Sequence, residues 1–107
     1  MTLVEQRRYA RVPIEAPLTF TVKGKNDWKD GVGRDIAIGG MSIETAENLP
    51  FSAEVEVSVQ LPGDDDIFLL PGVVRWVSGG RIGVQFGMLG AKETHVITEI
   101  ARRSDPG

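Results

Sequence analysis

The sequence predicts an all-β domain, an antiparallel barrel that is closed or nearly closed, with one C-terminal helix plugging or flanking it. Three observations carry this. Thirteen glycines and six prolines are spread through 107 residues. Between them run segments in which apolar and polar side chains alternate with period two, as in a strand wet on one face. After Gly90 the apolar residues change to helical spacing, and strands followed by a lone helix lack the βα rhythm of a parallel sheet.

In chain order, Pro13 biases Val12 toward an extended conformation, so the residues before it enter the first strand directly. Leu18 to Lys23 alternates cleanly and is read as a strand, as is Glu54 to Leu61. Val73 to Val77 is a fuller apolar run, which predicts a more buried strand, and Ile82 to Phe86 alternates again. Turn signals fall at Lys25-Asn26-Asp27, Gly39-Gly40 and Pro62-Gly63-Asp64. Ser78-Gly79-Gly80 joins two strong strand candidates and predicts a hairpin. Ala91 to Arg103 contains no Gly or Pro and sets Val96, Ile97, Ile100 and Ala101 on one side of a helix. Arg102 and Arg103 suit its negative end. The whole is expected to be one domain: an Arg-rich flexible arm at 1–12, a barrel at 13–89 and a helix at 90–104.

Composition excludes several function classes. Hydrophobic residues at 41% and charged ones at 25% describe a globular chain. No run approaches the roughly 20 apolar residues of a spanning helix, and the N-terminus lacks a secretory apolar stretch, so a cytoplasmic protein without membrane insertion is expected. The absence of cysteine removes disulfides, thiolate catalysis and zinc fingers, and His95 is the lone histidine. His95 has no Ser, Cys or paired acid near it in sequence and is read as an ordinary surface or half-buried residue. Asp64-Asp65-Asp66 lacks the spacing of a calcium loop and is read as a solvated turn. Glu54 and Glu56 share the wet face of a strand with no deep cleft beside them. No catalysis, metal or cofactor is assigned. A net charge of −3 disfavours broad nucleic-acid binding, which draws on many cationic phosphate contacts.

The positive charge is nevertheless local, since three of twelve basic residues lie in Arg7-Arg8-Tyr9-Ala10-Arg11. If that stretch is extended, Arg7 and Arg11 share a face and lie roughly 13 Å apart, comparable to a dinucleotide. Guanidinium offers a planar fork for phosphate and a flat face for a purine. The plain alternative is a solvated terminal arm. Further on, Asp35-Ile36-Ala37-Ile38-Gly39-Gly40 combines a carboxylate with glycines. Its plain reading is a β-turn opened by Asp35. A functional reading adds an acceptor-only group for a guanine edge or for orienting an Arg. Trp76 is read first as a core residue and second as a ligand contact.

Taken together, Arg7-x-x-x-Arg11 and Asp35-x-Ala37-x-x-Gly40 resemble the RxxxR and (D/N)xSxxG signatures of the PilZ family, bacterial receptors for cyclic di-GMP. Val73-Val74-Arg75-Trp76-Val77 and Gly83-Val84-Gln85-Phe86 resemble the family's late strands, so the similarity runs from Arg7 to the helix. The resemblance implies a six-stranded antiparallel barrel with a C-terminal helix. It implies that Arg7, Arg11, Asp35 and Gly40 contact cyclic di-GMP, with Arg8 in the variable space between the arginines; in some members of the family a tryptophan at the place of Trp76 faces the ligand. Two departures stand out: Ala37 replaces the motif's Ser, and Gln6 stands where many relatives carry a further Arg, which bears on whether one ligand or a stacked pair binds. The function implied is a receptor whose arm orders on the ligand and signals to an effector protein. The rivals are a degenerate PilZ domain acting as an interaction module without nucleotide, and a small barrel binding single-stranded nucleic acid, which two Trp and one Tyr serve poorly.

Overall fold

The computed structural model describes residues 11–104. Its strands in chain order are β1 (Val12–Val22), β2 (Lys29–Ala37), β3 (Gly40–Glu44), β4 (Glu54–Gln60), β5 (Ile67–Ser78) and β6 (Arg81–Phe86), followed by α1 (Ala91–Ser104). They close in the order β1-β2-β3-β6-β5-β4, and each neighbouring pair is antiparallel. Closure leaves few exposed sheet edges to template aggregation. No helix is long and apolar enough to cross a membrane among the described residues.

Period two fixes what faces inward. Ala16, Leu18 and Phe20 of β1, Val55, Val57 and Val59 of β4, and Ile82 and Val84 of β6 all point into one core, so the alternating runs predicted from sequence are the strands observed. β1 starts at Val12, earlier than the alternation at Leu18 shows, and a register shift between Pro13 and Ala16 accommodates Pro13. The hairpin at Ser78-Gly79-Gly80 is present, with Gly79 and Gly80 both at positive φ.

β2 and β3 were not visible as alternation, and the reason is local. Gly31 and Gly33 take inward positions on β2, facing Leu18 on one side and Ile43 or Met41 on the other. Neighbouring side chains fill the core there, and the apolar signal of β2 is missing from its own sequence.

Three expectations need correction. Asp35 does not open a turn: it lies in β2, opposite Pro13 and Ser42, and the turn itself is Ile38-Gly39. The run Val73 to Val77 is not uniformly buried. Val74 is fully buried, but a register shift between Val74 and Trp76 breaks the alternation, leaving Arg75, Trp76 and Val77 exposed. Trp76 is therefore not a core residue.

The helix completes the core. Val96, Ile97 and Ile100 join the barrel cluster, and the helix packs on β1 and β2. Burying each such side chain contributes about 1.5–3 kcal/mol, so the helix is an integral part of the domain. Ala101 is half-buried on the same side, and His95 is exposed. Lys92 ties the first turn to the β4–β5 loop through an ion pair with Asp66, and its ammonium sits 5.7 Å from the Phe68 ring centroid. The hydrogen bond that Lys92 donates to Asp66, then the carboxylate's charge, raises the Lys92 pKa above the usual lysine value.

Candidate functional site

Register assembles the site on the outer face of β2, β3, β6 and β5. Asp35 lies opposite Ser42, Ser42 opposite Gly83, and Gly83 opposite Trp76. These four form one lateral row. Their chain neighbours Ile36, Met41, Ile43, Ile82 and Val84 are buried inward, so by alternation the row faces out. The adjacent row is Ala37, Gly40, Gln85 and Val73. Small residues thus occupy the middle of the face, with charged and aromatic groups at its two ends.

That central flatness is enforced. A side chain on Gly40 would run into the Val84 carbonyl, a backbone atom held by the β3–β6 ladder. On Gly83 it would take the space now filled by the Trp76 indole, whose Nε1 and Cε2 lie over the glycine. The ring has one face seated on the sheet and remains 39% exposed, which leaves it available for stacking. The Phe86 amide donates to the Gly39 carbonyl at 2.9 Å and fixes the β2–β3 turn beside this floor.

Two guanidinium groups border it. Arg11 Nη1 donates to Asp35 Oδ1 at 2.7 Å, with the arginine side chain 46% exposed. The carboxylate therefore orients an Arg, one of the two uses expected of it. At the other end Arg75 Nε donates to Gln85 Oε1 at 2.7 Å. Arg75 has no carboxylate partner among the described residues. Between them lies a cavity of about 250 Å³, bordered by Arg11, Arg75, Trp76 and Gln85 and floored by Gly40 and Gly83. It is smaller than the roughly 300–1,000 Å³ that encloses a drug-sized ligand. It suits part of a larger anion, such as one base with its phosphate.

The sequence-predicted residues divide accordingly. Arg11, Gly40 and Trp76 border one cavity, and Asp35 holds Arg11. Ala37 lies in the second row, buried at 6% exposure. Arg7 and Arg8 lie outside the described residues, and so therefore does the pairing of Arg7 with Arg11 across a ligand. Sequence reasoning missed Arg75, Gln85, Ser42 and Gly83 as site residues. Arg75 and Gln85 sat inside runs read for their apolar pattern, and only the register brings them to Arg11. Ser42 carries a buried Oγ with no hydrogen-bond partner among the described residues, beside both Asp35 and Gly83.

Comparisons with known proteins add to this geometry. The family model described as PilZ domain matches residues 5–102. No curated protein matches the sequence. Among solved structures, the PilZ domain of CeSA from a cellulose-synthesizing bacterium superposes with a TM-score of 0.69 at 17% identity, covering 88% of this chain and 96% of that one. The PilZ domain of YcgR from Escherichia coli, solved with c-di-GMP, gives 0.72 at 18% identity, covering 92% and 91%. The Bacillus subtilis inhibitor of motility MotI/DgrA gives 0.73 at 15% identity, covering 91% of this chain and 50% of that one. At these identities the likeness is one of fold.

Proposed function

This chain belongs to the PilZ domain family, and on that premise we propose that it is a cyclic di-GMP receptor that relays ligand binding to an effector protein. The observation that carries the reading is the convergence of Arg11, Arg75 and a half-exposed Trp76 on one cavity, with the motif residue Gly40 on its floor and Asp35 holding Arg11. A cyclic purine dinucleotide asks for this combination: fixed cations for two phosphates, an aromatic plane for a base, and a flat floor for close approach. The structure of a relative holding c-di-GMP supports it at the level of the family.

In this reading Arg11 and Arg75 take phosphate oxygens or purine faces, Trp76 stacks on a guanine, and Asp35 keeps Arg11 aimed. Arg7 and Arg8 close over the part of the ligand that the cavity leaves outside. Ordering the arm of residues 1–12 on the ligand alters the surface an effector meets, a population shift without bond chemistry. A cytoplasmic location follows from the ligand class.

Calorimetric titration with cyclic di-GMP, and with GTP and cyclic di-AMP as controls, tests it. Saturable heat with cyclic di-GMP alone is expected. A second reading, an interaction module without nucleotide, is favoured by Ala37, whose position offers no hydroxyl and is nearly closed to solvent. Absence of heat with all three nucleotides selects it.

A further inference from the structure

Away from the nucleotide face, the barrel presents a second surface built by β1, β4 and the first half of β5. On β5, Ile67 and Leu69 point outward at 71% and 53% exposure, and Pro71 continues the stripe. Met88 is 94% exposed, and the Gly87 amide just before it donates to the Pro71 carbonyl at 2.8 Å, which brings Met88 out beside the stripe. Across β4, Ile67 faces Gln60, Leu69 faces Ser58 and Pro71 faces Glu56. Exposed apolar side chains lined up along one strand in this way are a candidate interaction surface.

Its border is acidic. Glu15, Asp64 and Asp65 line a cleft of about 370 Å³ with Pro17 and Gln60, at the Ile67 end of the ridge. Among the described residues none of Glu15, Glu56, Asp64 and Asp65 takes part in an ion pair. The loop that carries the aspartates is held in shape: Asp64 Oδ1 accepts from the Asp66 amide at 2.8 Å, its carbonyl accepts from Gln60 Nε2 at 3.1 Å, and Lys92 pins Asp66. Arg11 and Arg75 border the nucleotide face, and over the whole chain twelve basic residues stand against fifteen acids.

We propose that this face docks a basic segment of a partner protein, laid along β5 with apolar side chains on Ile67, Leu69 and Met88 and Lys or Arg side chains at Glu15, Asp64 and Asp65. Charge complementarity selects that occupant. A second copy of this chain in a symmetric contact would bring an equally acidic face to this one, and an anionic membrane would be repelled by the carboxylates. The inference goes beyond the relay reading: it names a second contact surface, separate from the one the ordered arm would alter. Docking requires no nucleotide, so its test stands even if cyclic di-GMP binding fails.

The test is selection of displayed random peptides on the immobilised full chain without nucleotide. Peptides that interleave Lys or Arg with large apolar residues should be enriched. Their affinity should fall at least about tenfold for I67N/L69N, as expected for loss of a central apolar anchor. It should also fall for D64N/D65N and with added salt. A thermal melt checks that the variants fold. Independently, titrating a selected peptide into wild type should shift the amides of 67–71 and 88. Enrichment of acidic or uncharged peptides, no enrichment, full binding to folded I67N/L69N, or amide shifts centred on Arg75 and Trp76 would each overturn the proposal. So would sedimentation showing a dimer that I67N/L69N dissolves, or capture on phosphatidylglycerol vesicles.

Discussion

Replacing Gly83 with alanine tests the architecture of the proposed nucleotide face. The new Cβ would occupy the space of the Trp76 indole, and backbone neighbours on both sides of Gly83 are fixed by the β3 and β5 ladders. The ring therefore has to leave its seat. A tryptophan buries about 150–250 Å² when fully enclosed. Trp76 is 39% exposed, so about 90–150 Å² is at stake, or about 2–4 kcal/mol at ~25 cal/mol per Å². Partial repacking of the ring returns some of this, and alanine in a strand recovers about 0.5–1 kcal/mol over glycine. The expected net loss is about 1–3 kcal/mol, and each kcal/mol lowers Tm by about 4–8 °C in a domain near this size. The assay is a thermal melt combined with tryptophan emission in a Trp28→Phe background, which leaves Trp76 as the reporter. Emission should shift to the red as the indole gains water, and Tm should fall. An unchanged melt with unchanged emission would show that the ring does not rest on Gly83 and would refute the reasoning.

Other perturbations separate binding from stability. Arg11→Ala breaks an exposed ion pair worth about 0.2–1 kcal/mol, yet should cut cyclic di-GMP affinity roughly ten- to a hundredfold by removing a charge-assisted contact; calorimetry and a melt on the same sample compare the two. Ser42→Ala removes a buried hydroxyl without a partner and should raise stability by about 1 kcal/mol, read by denaturant midpoint at constant slope; a drop would show that the hydroxyl is bonded. Lys92 has a folded pKa raised above the ordinary 10.5 by Asp66. Its contribution is therefore complete below pH 10.5 and lost as pH rises through the raised value. Tm measured against pH should fall through that alkaline window in the wild type and fall less in Lys92→Gln.

Much of the fold was legible because the inward residues of β1, β4 and β6 are large and apolar, so period two is written in their own sequence. β2 hid because Gly31 and Gly33 borrow neighbouring side chains to fill the core. β5 misled because Val73-Val74-Arg75-Trp76-Val77 looks continuous, while a bulge after Val74 sends the rest outward. At the site, the signatures containing Arg11, Asp35 and Gly40 were readable in one dimension. Arg75 and Gln85 were not, because their meeting with Arg11 depends on strand register across the barrel. Trp76 changed role for the same reason: whether an aromatic lies inside or outside a sheet is decided by a single register shift.

The most direct test of the receptor reading is amide-shift mapping of the full chain titrated with cyclic di-GMP. The account predicts saturable shifts at Gly39, Gly40, Arg75, Gly83 and Gln85 and at the Trp76 indole N–H, with new signals protected in the arm of residues 1–12. The amides of 67–71 should stay in place. Shifts confined to the β1–β4–β5 face, or none at saturating nucleotide, would contradict it.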